Sequence, residues 1–166
     1  PEWRAKNPCI GDSRTDFIMS GAAILRSIHS KPGCEARHNL NYWQFGDYIG
    51  VGAGAHGKLS HIDDGAMVIN RSLKLRQPKA YMDAISPLAM SHLVTHDELK
   101  LEFFMNALRL KQGVSYKTYA RQTGQPFKMV EALVQLATQK GLMEPNRLQA
   151  TPLGWRFLND LLGYFE

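Results

Sequence analysis

The segment from His38 to Gly57, HNLNYWQFGDYIGVGAGAHG, contains the residues on which the interpretation of the whole chain depends. If Tyr48 to Ala55 forms a strand, Gly50, Gly52 and Gly54 lie on one face of it, because successive side chains of a strand alternate between its faces. Glycines in such a row allow either tight packing and bending or the approach of a ligand to the backbone. The spacing alone favours neither interpretation.

The beginning of this segment favours a flat ligand. His38 offers an imidazole, Asn39 an amide, and Tyr42 and Trp43 apolar ring faces, which together suit a planar macrocycle or a nucleobase. The alternative is a structural histidine that only makes hydrogen bonds. A dinucleotide fingerprint is not indicated, because the glycines do not follow the G-x-G-x-x-G spacing that opens a helix.

These motifs resemble a known family. His38-Asn-Leu-Asn-Tyr-Trp43, Phe45-Gly-Asp-Tyr-Ile-Gly50 and Gly52-Ala-Gly-Ala-His-Gly57 are similar to the C-terminal half of radical S-adenosylmethionine proteins related to oxygen-independent coproporphyrinogen dehydrogenase. The chain most resembles the haem chaperone branch, in which an H-N-x-x-Y-W motif is associated with haem binding. The resemblance extends from about residue 31 to the C-terminus, and residues 1–28 match poorly, so their role is not assigned.

The resemblance implies haem as the cofactor and gives roles to particular residues. His38 is the expected axial ligand of the haem iron, Asn39 its orienting hydrogen-bond partner, and Tyr42 and Trp43 the packing faces. The glycines would let the cofactor approach the backbone, and His56 would make a polar contact to it, with a structural hydrogen bond as the alternative. The predicted cofactor-binding residues are His38, Asn39, Tyr42, Trp43, Gly50, Gly52, Gly54 and His56.

The cysteines limit what this chain can do by itself. It has Cys9 and Cys34 but no C-x-x-x-C-x-x-C motif, through which the resembled family holds a 4Fe-4S cluster. We therefore expect the chain to begin after the cluster-bearing part of a longer protein, which would also use S-adenosylmethionine. No enzymatic activity is expected of this chain alone.

Composition describes an ordinary globular protein. The chain has 166 residues, 44% of them hydrophobic and 21% charged, so it can form one domain or two small ones. It has no apolar run of about 18 residues and no secretory signal, which predicts a cytoplasmic location.

The charge of the chain is basic but evenly distributed. The net charge of +5 divides between 11 basic and 8 acidic residues in 1–90 and 9 and 7 in 91–166. A local basic strip, formed by Arg71, Lys74, Arg76 and Lys79, could meet propionates, phosphates or an anionic membrane, although a solvated loop is the simpler interpretation.

The pattern of turns and caps predicts an α+β fold. The segment Phe17 to Ile28 favours a helix, and Lys58 to Ile62 and Ala66 to Asn70 form a hairpin around Asp63-Asp-Gly65. From Thr95 onwards the caps indicate three helices, a two-stranded wing and a final helix. The resemblance implies that residues 1–90 are the tail of an incomplete parallel (β/α) barrel with this hairpin, and that 91–166 form a winged-helix-like domain.

Nucleic-acid binding is the alternative function that a winged helix suggests. The helix from Pro126 to Lys140 would enter the DNA groove, but it presents Lys128 and Lys140 beside Glu131 and no arginine. We therefore treat this domain as a lid or protein-contacting element and nucleic acid as an improbable partner.

The favoured function is that of a haem chaperone, which binds haem and transfers it to an acceptor protein, at a membrane surface or elsewhere. Oxidation of coproporphyrinogen III by the full-length protein is the enzymatic alternative. A homo-oligomer is compatible with the sequence.

Overall fold

The computed structural model describes residues 37–166 and shows a mixture of helices and strands. The chain divides into two compact units, residues 1–40 and 41–166. The helix predicted from Phe17 to Ile28 lies outside the described residues, as do both cysteines, and the domain boundary expected near residue 90 remains a prediction. Among the described helices, none combines the length and the apolar character needed to cross a membrane.

Three strands form one antiparallel sheet in the order β1-β2-β3, with β1 at His56–Asp63, β2 at Ala66–Lys74 and β3 at Leu88–Leu93. The predicted hairpin of β1 and β2 is confirmed. Its two central turn residues, Asp64 and Gly65, have φ angles of 45° and 80°, as a type I′ turn requires. The sequence analysis did not predict β3.

The prediction of a strand from Tyr48 to Ala55 is wrong. Tyr48 makes an isolated antiparallel bridge with Lys58, and the chain then turns. Gly52 and Gly54 have φ angles of 105° and 71°, which lie outside the strand region, and the Ala55 amide donates to the Gly52 carbonyl at 3.2 Å. The three glycines therefore do not form a bare face of a sheet.

Three helices begin at the cap residues that the sequence predicts. Thr95 forms the predicted capping box with Glu98, and Ser115 and Thr151 each accept a hydrogen bond from a backbone amide in the first turn of their helices. Gly124 ends one helix in the left-handed conformation. The helices are α1 at Arg37–Trp43, α2 at Pro78–Asp83, α3 at His96–Ala107, α4 at Tyr116–Thr123, α5 at Lys128–Gln139, α6 at Pro152–Arg156 and α7 at Leu158–Leu162, with a 3-10 turn at Gly163–Phe165.

Two details of the C-terminal region differ from the prediction. The final helix is two short helices, because Phe157 leaves the helical region with φ −114° and ψ 44°. The expected two-stranded wing pairs through a single bridge between Met143 and Ala150. The element order is that of the prediction, and the winged-helix classification stays a prediction.

An aromatic core joins the helices of the second unit. Phe104 stacks on Phe165 with ring centroids 3.6 Å apart, and Phe103 lies edge-on to Tyr119 at 5.0 Å. Burial of the Tyr119 phenol raises its pKa to about 12, although a hydrogen bond involving Thr123 opposes this. All four rings are fully buried, so this cluster supplies much of the apolar burial that holds the helices together.

Candidate functional site

Helix α1 carries the H-N-x-x-Y-W motif. His38 is exposed and Asn39 is half-buried. Tyr42 is 39% exposed, whereas the next residue, Trp43, is only 9% exposed. A step of one residue turns the helix by about 100°, so the two neighbouring rings point in different directions. Trp43 therefore packs into the protein, while Tyr42 stays partly exposed, although its ring meets that of Tyr48 edge-on with centroids 4.4 Å apart.

The end of α1 is fixed by an unusual backbone conformation. Phe45 has a φ angle of 61°, its amide donates to the Tyr42 carbonyl, and the Gly46 amide donates to the Asn41 carbonyl. This pair of hydrogen bonds is a Schellman motif, which normally has glycine at the left-handed position. The Phe45 ring is 1% exposed, so its burial offsets the steric cost of the left-handed backbone.

Behind this turn lies a buried lysine. Lys58 is 1% exposed, and its ammonium group donates to the Phe45 carbonyl at 3.0 Å, to the Asp47 carboxylate at 3.0 Å and to the Ser60 hydroxyl at 3.3 Å. It also lies 4.3 Å from the centroid of the Phe45 ring. All three donors of the ammonium group are thus used, and the turn is held against β1.

The protein environment lowers the pKa of both Lys58 and Asp47, which disfavours the charge of the lysine and favours that of the aspartate. Burial lowers the pKa of Lys58, and the hydrogen bond and charge of Asp47 oppose that effect only in part. Burial raises the pKa of Asp47, but hydrogen bonds from Lys58 and Ser60 outweigh it and hold that pKa below its ordinary value. The carboxylate is therefore the better stabilised charge of the two.

A second ionic contact ties the sheet to α3. The Arg71 guanidinium forms a salt bridge with Glu102, its Nε lies 3.1 Å from that carboxylate, and its Nη1 donates to the Tyr48 hydroxyl at 2.6 Å. Arg71 is consequently committed to internal contacts. The basic strip expected from the sequence is reduced to Lys74, Arg76 and Lys79, of which the last two are exposed.

In the glycine segment, Gly50 to Gly54, the glycines make backbone contacts that a strand would not make. A side chain at Gly50 would collide with the His56 carbonyl, so this glycine allows two backbone segments to approach each other. The Gly52 amide donates to the Tyr81 hydroxyl at 3.2 Å. Gly54 lies near Arg76. Tight packing, the alternative kept open for these glycines, accounts for Gly50.

His56 is the first residue of β1 and is exposed. Its place beside Gly57 at the start of the strand leaves the imidazole open to a polar ligand. His61 is exposed on the hairpin.

Lys58 and Asp47 were not predicted to have a role, and Arg71 was expected only in the basic strip. Asp47 lies in the segment from His38 to Gly57 and Lys58 directly follows it, but a lysine on a predicted hairpin gives no signal that it is buried. Within residues 37–166 no group of three or more His, Cys, Asp or Glu side chains is arranged to hold a metal ion. A single axial histidine does not need such a group.

Comparison with known proteins identifies the family. Residues 94–157 match the family model described as the HemN C-terminal domain. The heme chaperone HemW of Escherichia coli (strain K12) is 36% identical over 141 residues, which are 84% of this chain and 36% of that protein. The chain belongs to the HemN- and HemW-like family, and its residues 94–157 correspond to that family's C-terminal domain.

Two further relatives match over a similar extent. The heme chaperone HemW of Haemophilus influenzae is 37% identical over 141 residues, again 84% of this chain and 36% of that protein. The radical S-adenosyl methionine domain-containing protein 1, mitochondrial, of Dictyostelium discoideum is 28% identical over 168 residues, 88% of this chain and 37% of its own length. The chain thus spans little more than a third of these HemW-like relatives. No solved structure matches it significantly.

Proposed function

We propose that the protein that carries this chain binds haem and transfers it to an acceptor protein. The observation that carries this proposal is the exposed position of His38 in a motif-bearing helix of a chain whose relatives are named heme chaperones. Haem bound there would supply an iron centre, and an imidazole is one of the protein groups that coordinate haem iron.

The residues of α1 fit this role unequally. His38 and Tyr42 are four residues apart in one helix, so they fall on the same face, and both are exposed. Tyr42 can therefore cover part of a flat ligand whose metal is held by His38. Trp43 is buried, and we assign it the task of anchoring the helix. Asn39 keeps its proposed role as an orienting hydrogen-bond partner.

The glycine segment contributes less ligand surface than its sequence suggests. Gly50 is used for backbone packing, and the Gly52 amide already has Tyr81 as its acceptor. Gly54 and the exposed His56 remain as proposed contacts for the edge of the macrocycle. Polar contacts there would suit the propionate groups of haem, because Arg76, close to Gly54, carries an exposed positive charge.

The wider context of this site is also a proposal. We infer that the 4Fe-4S cluster and S-adenosylmethionine are held by the part of the family's length that this chain does not match, because cluster ligation needs more thiolates than its two cysteines. Residues 1–90 would then be the tail of a (β/α) barrel, with residues 91–166 as a winged-helix-like lid. A cytoplasmic location is part of the same proposal.

The structure does not favour DNA binding by α5. Its exposed side chains include Met129 and Leu136, at 55% and 41% exposure, and the carboxylate of Glu131 lies between Lys128 and Lys140. A DNA-reading helix gains affinity from several phosphate contacts. Two lysines separated by apolar and acidic residues offer few.

An absorbance titration with haem tests the proposal. We expect a saturable Soret shift in the parent chain, its loss in His38→Ala, and its retention in His61→Ala, which removes another exposed histidine, from the hairpin. Thermal melts of the three proteins must agree, so that lost binding is not lost folding. Equal binding by all three proteins would refute the role of His38.

The same titration separates the chaperone from its enzymatic alternative. If the parent chain does not bind haem, the measurement is repeated on a full-length protein with the same substitutions. Oxidation of coproporphyrinogen III by that protein, without haem binding that depends on His38, would favour the enzyme.

A further inference from the structure

A groove lies on the outer side of α5, and none of its lining residues belongs to the haem motif or the glycine segment. It has a volume of about 390 Å³. Its walls are the first residue of α4, the exposed side of α5 and the turn at Pro145. Cavities of a few hundred Å³ hold small ligands or several peptide side chains.

The apolar end of the groove is rigid. Tyr116 stacks on Phe127 with ring centroids 4.4 Å apart and an interplanar angle of 23°, and its hydroxyl donates to the Pro145 carbonyl at 2.7 Å. Val134, 4% exposed, lies at the base. Because these side chains are already held in place, a ligand that packs against them costs little ordering entropy in the protein.

The polar side of the groove has a regular spacing. Glu131, Gln135 and Gln139 follow one another at intervals of four residues, so they lie about 6 Å apart along one side of α5. An extended peptide advances about 3.3 Å per residue, so every second residue advances about 6.6 Å. A peptide that runs parallel to α5 can therefore place alternate residues opposite successive polar side chains.

The chemistry of the lining selects the kind of peptide. Among the described residues that line the groove, Glu131 is the one charged side chain. A carboxylate disfavours phosphates, nucleic acids and the propionates of haem, and it pairs with a basic side chain. Glutamine amides both donate and accept hydrogen bonds, as the peptide backbone does.

We propose that this groove binds an extended segment of a partner protein, about five residues long given the strand rise, with a basic residue at the Glu131 end. An apolar side chain of the segment packs on the Tyr116–Phe127 pair. The site is independent of haem binding, so the proposal stands or falls separately from the function assigned to His38.

Selection from a phage-displayed library of random heptapeptides, with the whole chain as bait, tests this inference. The enriched peptides should carry arginine or lysine with an apolar residue two or four positions away. A synthetic copy of the most enriched peptide should bind the chain in fluorescence anisotropy. Replacement of its basic residue by glutamate should weaken binding about tenfold or more, which is the loss of one strong contact.

Matched variants locate the binding. Gln135→Arg places a positive charge in the groove and should weaken peptide binding about tenfold or more. Ala132→Arg introduces the same charge at an exposed position of α5 that does not line the groove, and its binding should equal that of the parent. Melting temperatures of both variants report whether they remain folded.

Several results would overturn the inference. These are enrichment of acidic peptides, equal peptide binding by the parent and Gln135→Arg, and displacement of the peptide by a short DNA duplex. The inference would also be overturned if selection on the parent enriched only peptides that selection on Gln135→Arg enriches too.

Discussion

The ammonium group of Lys58 lies 3.0 Å from the carboxylate of Asp47, and the lysine side chain is 1% exposed while the aspartate side chain is 39% exposed. The pair joins the left-handed turn after α1 to the first strand of the sheet. Since the lysine is the buried partner, the loss of its counterion leaves an uncompensated charge inside the protein.

Asp47→Ala should therefore lower the free energy of unfolding by about 3 kcal/mol, the lower end for loss of one partner of a buried pair, since Lys58 keeps two other acceptors. Urea denaturation measures the change. Asp97→Ala is the control, because Asp97 is 93% exposed and pairs with Lys100 on the surface. Its loss should cost less than about 1 kcal/mol, and equal effects of the two substitutions would contradict the structure.

The same pair predicts a dependence on acid. The folded-state pKa of Asp47 is below its ordinary value of 3.8, so the unfolded chain binds protons first as the pH falls. The stabilisation is fully present above pH 3.8 and is lost as the pH falls through the lower folded-state pKa. The stability difference between the parent and Asp47→Asn should thus shrink in this window. If urea denaturation gives the same stability difference between the two proteins throughout this pH window, the folded state does not stabilise the ionised form of Asp47.

Gly50→Ala tests the close approach of two backbone segments. The added methyl group would meet the His56 carbonyl oxygen, so the loop or the start of β1 must shift, and overpacking of this kind costs about 1–3 kcal/mol. Gly163→Ala is the control, because a side chain there meets nothing nearby. It should leave stability unchanged or raise it by about 0.4–1 kcal/mol. If both variants melt at the temperature of the parent, the loop is looser than described.

Thr95→Ala tests the capping box of α3. The Thr95 hydroxyl accepts from the Glu98 amide, and the Glu98 carboxylate accepts from the Thr95 amide at 2.8 Å. Loss of the hydroxyl should cost about 1 kcal/mol, measured by thermal or urea unfolding. Thr95→Ser retains the acceptor and should unfold like the parent. If Thr95→Ser lowers stability as much as Thr95→Ala does, the loss comes from the methyl group of threonine and not from its hydroxyl.

Local chemistry explains what the sequence could predict of the fold. The cap residues Thr95, Ser115 and Thr151 and the turn at Asp64-Gly65 act on backbone within four residues of themselves, so their sequence contains the whole signal. Strand β3 could not be found in this way. Apolar and polar side chains do not alternate along its sequence, LAMSHL, because no face of the strand is buried: each of its residues is exposed.

The sequence proposed residues for the candidate site, but it could not show how exposed each of them is. The spacing of His38 and Tyr42 places them on one helix face whatever the surroundings. Which neighbour of that face becomes buried depends on distant contacts, so the sequence could not show that Trp43 would be 9% exposed. Side chains do not alternate between two faces at Gly52, because a positive φ angle destroys the period of two of a strand.

The contacts between the sheet and the helices also determine how the second unit unfolds. The ring of Phe45 lies 5.7 Å from that of Phe103, and Gly124 at the end of α4 abuts Met67 of β2 so closely that no larger residue fits. Neither layer can open without exposing apolar surface of the other. Residues 41–166 should therefore lose their structure in a single cooperative transition. When global unfolding limits hydrogen exchange, the amide protons of β2 and α3 should exchange at a common rate.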